Sequence, residues 1–222
     1  MDGKSDRRAG NDRDSAGAST AEAQQALTRA RLRAALITSA DVPGYVVAGG
    51  AGAPGAPGPE ASLTAERPAC RPLSDPVSSR PARPRGALVT AAVTTRGALG
   101  GDGELNLLLL SAHRNGEAAE VVGGITAALE ECRSFGATDG EGGTRHFAVR
   151  PAQAPAAGDE AAAYVMTDTG DTARGTATVT VVRTGSSTAT YVTVKPPGDP
   201  GGPPLAVVRA QHAKLAEAAV HQ

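Results

Sequence analysis

Residues 114–135, RNGEAAEVVGGITAALEECRSF, form the segment that most constrains the fold. Its apolar side chains recur at helical spacing; this stripe consists of Val121, Val122, Ile125, Leu129 and Cys132. Such spacing predicts an amphipathic helix whose apolar face packs on a core. An apolar run at 104–111 precedes it, and a β-type segment at 144–150 follows a glycine-rich turn at 136–143. The segment therefore predicts a strand–helix–strand unit.

Two glycines, Gly123 and Gly124, lie inside this predicted helix. A glycine in a helix interior destabilises the helix by roughly 1 kcal/mol relative to alanine. We expect the missing side chains to let the helix approach a strand closely, which is a packing role.

Further strands are predicted on both sides of the central unit. The segments 176–184 and 187–194 are separated by Gly185-Ser186, which is typical of a two-residue hairpin turn. Mixed β-type segments predict additional strands at 45–48, 87–96 and 159–167.

Helices are predicted near both ends of the chain and after Cys70. Ser19 and Glu22 match a capping box, and the helix that they begin should continue to Ile37. A short helix is expected near 75–79, and the last helix should cover 205–220. The predicted apolar face of the last helix consists of Leu205, Val208, Leu215 and Ala219.

The order of these segments predicts the α+β class, with a single antiparallel β-sheet and packed N-terminal, central and C-terminal helices. Residues 1–18 are charged and lack periodicity, so we expect a disordered tether. The domain should then comprise residues 19–222, with a flexible glycine- and proline-rich loop at 49–66.

Composition excludes some classes of function. The formal net charge is −1, which offers no electrostatic basis for binding nucleic acid. No run of 18 apolar residues is present, so no membrane-spanning helix is expected. The polar start resembles no signal peptide, which fits either a cytoplasmic protein or an exported domain whose leader has been removed.

Motifs for catalysis, metals and cofactors are absent from the sequence. The glycine clusters match neither phosphate-binding pattern, and the four histidines are scattered, although His113 and His146 could converge. Asp159 and Glu160 are adjacent at a strand start, so their side chains should point to opposite faces and form no catalytic pair. We expect no enzyme activity, no metal and no cofactor.

Six segments in a fixed order carry a family resemblance. They are 36–45 (LITSADVPGY), 69–73 (ACRPL), 127–135 (AALEECRSF), 158–160 (GDE), 179–183 (VTVVR) and 210–215 (AQHAKL). In this order the chain resembles actinobacterial lipoproteins related to the PknH-like extracellular sensor domain family. The chain differs from the receptor kinases in having no kinase portion and one cysteine pair.

The resemblance implies an extracytoplasmic domain on the outer face of the cytoplasmic membrane, anchored through a lipid on the native precursor. In such a domain, poor in aromatic residues, we expect Cys70 and Cys132 to form a disulfide; the alternative is two reduced, buried thiols. Closing a loop of this length should stabilise the fold by roughly 4 kcal/mol.

The resemblance also implies a ligand-receiving cleft. We expect it where the central helix meets the sheet, near His113, Arg114, Tyr164 and Tyr191. The implied function is to modulate cell-envelope stress signalling by binding a cell-wall ligand or a membrane sensor kinase. The alternatives are a carrier for a small hydrophobic or cell-wall-derived molecule and, third, an enzyme.

Overall fold

Nine strands form one sheet in the computed structural model, which describes residues 26–49, 62–97, 105–170, 175–194 and 201–220. The strands are β1 (Tyr45–Gly49), β2 (Leu63–Ala65), β3 (Ala87–Thr95), β4 (Leu105–Ala112), β5 (Ser134–Asp139), β6 (Thr144–Pro151), β7 (Glu160–Asp168), β8 (Thr176–Thr184) and β9 (Ser187–Val194). Every pairing is antiparallel, in the spatial order β1-β3-β4-β9-β8-β7-β6-β5-β2. The predicted α+β class with one antiparallel sheet is confirmed.

The hairpin between β8 and β9 has the predicted boundaries. Thr184 pairs with Ser187, so Gly185 and Ser186 alone form the turn. Gly185 has a φ of 57°, in the left-handed region that glycine adopts without strain. The turn thereby fixes which side chains of the two central strands face each side of the sheet.

Four helices cover the two faces of this sheet in the described part of the chain. They are α1 (Arg29–Ala34), α2 (Arg71–Ser74), α3 (Glu117–Glu131) and α4 (Leu205–Val220); a 3-10 turn at Pro68–Cys70 leads into α2. Adjacent strand residues point to opposite faces, so Val181 packs toward α3 while Val182 packs on the side of α4. The sheet is therefore the middle layer of three.

Each face of the sheet has its own apolar core. The α1–α4 core contains Leu32, Ile37, Val93, Leu108, Leu110, Tyr191, Val208 and Leu215. The α2–α3 core contains Leu73, Val122, Ile125, Phe135, Phe147, Tyr164, Val179 and Val181. No described helix is long and apolar enough to cross a membrane.

A disulfide joins Cys70 and Cys132 with a Cα–Cα distance of 5.8 Å. Both cysteines are fully buried, in the α2–α3 core. Since Cys70 directly precedes α2 and Cys132 directly follows α3, the bond fastens the start of one helix to the end of the other. The predicted pairing is confirmed.

Strand β5 lies where a glycine-rich turn was predicted. Phe135 and Ala137 point into the α2–α3 core, while Ser134 and Thr138 are exposed, so the segment alternates as a strand does. Gly136 between the two apolar residues hides this alternation in the sequence. The turn between β5 and β6 is confined to residues 140–143.

Helix α1 is shorter than predicted. Ser19 and Glu22 lie outside the described residues, and Thr28 caps the helix by accepting a hydrogen bond from the backbone N–H of Arg31. The helix ends before Ile37 because the Ile37 N–H donates to the side chain of Gln211 instead of continuing the helix. The short helix predicted at 75–79 lies at Arg71–Ser74 instead, directly after the 3-10 turn.

The predicted flexible loop at 49–66 is wrong at both ends. Gly49 is the last residue of β1, and Leu63–Ala65 form strand β2 at the opposite edge of the sheet. The hydroxyl oxygens of Ser78 and Ser74 accept the backbone N–H groups of Leu63 and Ala65, at 3.0 and 3.2 Å. The predicted tether at 1–18 and the middle of the loop, 50–61, lie outside the described residues.

The two glycines of α3 do not bring the helix against a strand. A Cβ atom at Gly123 would meet nothing within 4 Å, and one at Gly124 would lie 3.6 Å from the Pro72 side chain. The predicted close approach to a strand is wrong, because Gly123 points to solvent and Gly124 packs against Pro72 of α2.

The buried face of α4 is rotated from the predicted one. It consists of Val207, Val208, Gln211 and Leu215, whereas Leu205 is 41% exposed. The polar Gln211 is fully buried because its amide bonds two backbone groups after α1, a partnership that the sequence pattern does not reveal.

Candidate functional site

A narrow cleft opens on the α2–α3 side of the sheet, between α3, the loop after α2 and the ends of β4 and β9. It encloses about 70 Å³, room for a few water-sized groups. The sheet and α3 contribute Ser111, His113, Thr188, Thr190, Glu120 and Val121. The other wall consists of Pro72, Asp75, Pro76, Pro81, Arg83 and Arg85. We call this site the His113 cleft.

The polar floor of the cleft follows from strand alternation. In β9, Ala189 and Tyr191 belong to the α1–α4 core, so Thr188 and Thr190 point to the other face. Ser111 of β4 lies opposite Thr188 in the antiparallel register. The sequence thus places three buried hydroxyl side chains in neighbouring positions at one end of the sheet.

His113, the residue after β4, is the buried titratable group of the cleft. It is 3% exposed, and its Nε2 atom lies 2.9 Å from Thr188 Oγ1. Its Nδ1 atom has no hydrogen-bond partner in the described part of the chain. Burial, with a smaller effect of the nearby Arg85 charge, lowers the pKa of His113 to about 4, and Glu117 partly opposes this shift. The imidazole is therefore neutral at pH 7.

Arg85 fixes the loop that forms the outer wall. Its two terminal nitrogens donate to the carbonyl oxygens of Ser78 and Asp75, both at 2.8 Å, and one also donates to the Pro76 carbonyl at 3.2 Å. Burial lowers the pKa of this guanidinium, and the Asp75 carboxylate opposes that shift. The side chain therefore holds the loop and supplies positive charge to the cleft.

Two acidic side chains balance that charge. Burial raises the pKa of Asp75, whose carboxylate accepts the backbone N–H of Ala82 at 3.2 Å. Arg83 and Glu120 form an exposed ion pair that links the loop to α3. The cleft thus presents hydroxyl groups and a neutral imidazole inside, with mixed charges around them.

This arrangement suits recognition better than acid–base catalysis. His113 and Thr188 form a contact of the nucleophile–base kind, but no described carboxylate bonds Nδ1 to orient the ring. A base whose pKa is near 4 is also a weak proton acceptor at neutral pH. No group of three His, Cys, Asp or Glu side chains suited to a metal occurs among the described residues, and His146 is exposed on another strand.

Asp159 and Glu160 do not point apart as predicted. Both carboxylates contact Arg183, at 3.1 Å from Nη1 and 2.9 Å from Nε respectively. Asp159 precedes the first residue of β7, so strand alternation does not govern its side chain. One guanidinium bridges both carboxylates, which gives them a structural role.

The structure brings only one of the four predicted cleft residues to the His113 cleft. Arg114 is exposed in the turn before α3, where its backbone N–H donates to Glu117. Tyr164 is fully buried beneath α2, and its hydroxyl donates to the Leu73 carbonyl at 2.6 Å. Tyr191 is fully buried on the other side of the sheet. The four residues do not share a surface, because Tyr164 and Tyr191 belong to opposite cores.

Sequence reasoning missed most of the cleft. Thr188 and Thr190 were detectable, since polar residues alternate with apolar ones along β9. Asp75 and Arg85 were not detectable from the sequence. The loop that carries them has no periodicity, and its position depends on contacts with distant backbone carbonyls.

A wider groove of about 590 Å³ lies on the same face of the sheet, toward β2. Its apolar floor includes Leu63, Val77, Phe147, Met166, Val192 and Val194. Its polar groups are Asp139, Glu141, Arg145 and Asp168. Arg145 Nε donates to the buried Asp168 carboxylate at 2.9 Å, and its guanidinium carbon lies 5.2 Å from the centre of the Phe147 ring. We call this site the Phe147 groove.

Comparison with known proteins finds a similarity of fold to solved structures. No family model matches the chain. No curated protein matches it either. The structure is similar to the crystal structure of the extracellular domain of PknH from Mycobacterium tuberculosis, with a TM-score of 0.47 and 12% sequence identity, over 90% of this chain and 100% of that one. A likeness of this extent identifies no ligand or partner for the chain.

Proposed function

We propose that this chain is an extracytoplasmic binding domain that modulates cell-envelope stress signalling by recognising a cell-wall ligand or a membrane sensor kinase, without chemistry. The observation that carries the proposal is the His113 cleft, a pocket between helix and sheet with buried polar groups and no oriented nucleophile–base pair among the described residues. Its volume of about 70 Å³ suits a small group or one partner side chain.

The disulfide supports the proposed compartment. Cys70 and Cys132 are the only cysteines of the sequence, and they are joined. Disulfides persist in oxidising environments outside the cytoplasm and are rare inside it. We further propose that the native precursor carries a lipid anchor that holds the domain at the outer face of the cytoplasmic membrane.

A reporter for an envelope-stress promoter in the native host tests the signalling function. Deleting the gene should change reporter activity severalfold after treatment with a cell-wall antibiotic. Val121→Trp, placed at the half-buried rim of the cleft, should reproduce the deletion, whereas Ala127→Trp on the exposed face of α3 should behave as wild type. An unchanged reporter after deletion, with and without antibiotic, would exclude the signalling role.

A carrier function is the second candidate, and the Phe147 groove favours it. Its volume of about 590 Å³ lies in the range of sites that enclose small organic ligands, and its floor is apolar. Mass spectrometry of protein purified from the native host would detect a retained apolar molecule. Met166→Arg, which places a charge on the groove floor, should abolish retention, and the exposed Thr138→Arg of β5 should not.

A further inference from the structure

A third depression, which shares Pro81 and Arg85 with the His113 cleft, is lined by arginine. It lies on the other side of the loop 79–85, between that loop, α1 and the start of β3, and holds about 650 Å³. Arg29, Arg80 and Arg85 line it, and no Asp or Glu occurs among the described residues of its lining. We call it the arginine groove.

The three guanidinium groups are held to different degrees. Arg85 is half-buried and is tied to the loop carbonyls described above, so its position is fixed. Arg29 donates from Nε to the Leu88 carbonyl at 3.3 Å and is otherwise exposed. Neither Arg29 nor Arg80 forms an ion pair with any described residue. The nearby carboxylates, Asp75 and Glu120, line the His113 cleft instead.

The edge of β3 adds a backbone donor to this groove. Strand β1 pairs with β3 only from Ala91 to Thr95, so no described strand pairs with the segment before Ala91 on that edge. The bond from Arg29 shows that the Leu88 carbonyl points to this edge. In an antiparallel ladder the N–H and C=O of one residue point the same way, so the Leu88 N–H faces the edge as well.

Arg29 and Arg80 are two exposed positive charges in this groove, and Arg85, whose charge Asp75 partly offsets, adds a third at its wall. Like charges repel one another, and a bound anion relieves that repulsion. Guanidinium groups bind phosphate and carboxylate by paired hydrogen bonds, and a phosphate group offers three acceptor oxygens that can reach more than one arginine at once. We propose that the arginine groove binds a phosphate-bearing anion through Arg29, Arg80, Arg85 and the Leu88 N–H.

Calorimetric titration of the full chain with sodium tripolyphosphate at low salt tests the proposal. Arg29→Ala combined with Arg80→Ala should weaken binding at least tenfold. The matched control, Arg67→Ala with Arg209→Ala, removes two exposed arginines elsewhere and should stay within twofold of wild type. Arg85 is left intact because it holds the loop, and thermal unfolding checks that each variant is folded.

Sedimentation with vesicles distinguishes the sources of the phosphate. Binding to phosphatidylglycerol vesicles but not to phosphatidylcholine vesicles, lost in the double variant, supports the proposal with a lipid headgroup as ligand. Binding to tripolyphosphate alone, with the same loss, supports it with a soluble or polymeric phosphate. The proposal is overturned if no phosphate probe binds, if the control pair loses as much affinity as the groove pair, or if citrate binds as tightly as tripolyphosphate.

Discussion

At the scale of single residues, Tyr164 and Tyr191 show how the same side chain can be satisfied on one face of the sheet and unsatisfied on the other. Both are fully buried, and burial raises the pKa of each. The Tyr164 hydroxyl donates to the Leu73 carbonyl at 2.6 Å, whereas the Tyr191 hydroxyl has no partner among the described residues. Burying an unpaired hydroxyl costs free energy that a hydrogen bond would offset.

The two tyrosines should therefore respond differently to loss of the hydroxyl. Tyr164→Phe should lower the free energy of unfolding by about 1–2 kcal/mol, because it leaves the buried Leu73 carbonyl without its donor. Tyr191→Phe is the matched control and should change stability by less than about 0.5 kcal/mol or increase it. Urea unfolding at pH 7 measures both; equal losses would contradict this account of the two hydroxyls.

His113 should make stability depend on pH. Its pKa is about 4 in the folded protein, against 6.5 for an ordinary histidine, so the unfolded chain binds the proton more tightly between these values. The stability contributed by the neutral ring is present above pH 6.5 and lost as the pH falls toward 4. Between pH 7 and 4.5 the loss from this residue should be about 2 kcal/mol.

Comparing His113→Leu with wild type by urea unfolding at both pH values isolates this effect. The difference in stability between wild type and variant should shrink or reverse at pH 4.5, since the variant has no proton to bind. The exposed His146→Leu provides the control and should follow wild type. If His113→Leu also follows wild type across this range, the buried imidazole does not titrate as proposed.

At the scale of elements, the sequence predicted those whose pattern is local. The hairpin of β8 and β9 depends on Gly185-Ser186 between two alternating segments, and the ends of α4 are correct. Strand β2 escaped prediction because three residues are too few for a pattern, and serine side chains from a later segment complete its hydrogen bonds. The outer wall of the His113 cleft was not predicted for the same physical reason, because hydrogen bonds from Arg85 to distant backbone carbonyls position it.

The α3 glycines give a prediction at this scale. Gly123 lies in the helix interior on its exposed face, where an added Cβ atom would have nothing within 4 Å. Gly123→Ala should therefore raise the free energy of unfolding by about 0.5–1 kcal/mol through helix propensity. Gly158→Ala should instead destabilise the protein, because its φ is +78° and a Cβ would lie 2.5 Å from the Arg183 carbonyl oxygen. Thermal unfolding distinguishes the two; a destabilised Gly123→Ala would restore a packing role for this glycine.

At the scale of the whole molecule, a disulfide on one face of the sheet and the buried Gln211 hydrogen bonds on the other each join two helical segments. The disulfide joins α2 to α3 across 62 residues of sequence. On the other face, the buried Gln211 of α4 accepts from the Ile37 N–H at 3.1 Å and donates to the Ala35 carbonyl at 2.8 Å. The disulfide stabilises the protein mainly by constraining the unfolded chain. The Gln211 amide instead satisfies buried backbone groups of the folded chain.

Removing the disulfide should have a large effect. Cys70→Ala combined with Cys132→Ala should lower the free energy of unfolding by roughly 4 kcal/mol, as expected for a closed loop of 62 residues. Urea unfolding of the double variant under non-reducing conditions measures this value. Wild type in the presence of a reducing agent should show a comparable loss, and a change below about 1 kcal/mol in both would mean that the bond constrains little.

The last prediction concerns the buried hydrogen bonds of Gln211. Gln211→Leu keeps the volume of the side chain but leaves the Ile37 N–H and the Ala35 carbonyl unsatisfied, which should cost about 2–4 kcal/mol. Lys214→Ala, which removes an ion pair with Asp41 at the same junction of α4 and α1, is the control and should cost less than about 1 kcal/mol.

Hydrogen exchange would show which helices lose stability when the Gln211 amide or the disulfide is removed. Because the sheet separates the cores, Gln211→Leu should accelerate exchange in α1 and α4 while α3 stays protected. Loss of the disulfide should accelerate exchange in α3 while α1 and α4 stay protected. Equal acceleration of all three helices in both variants would mean that the molecule opens as one cooperative unit. Under the prediction, the face that carries the His113 cleft can instead loosen while the opposite layer of helices remains packed.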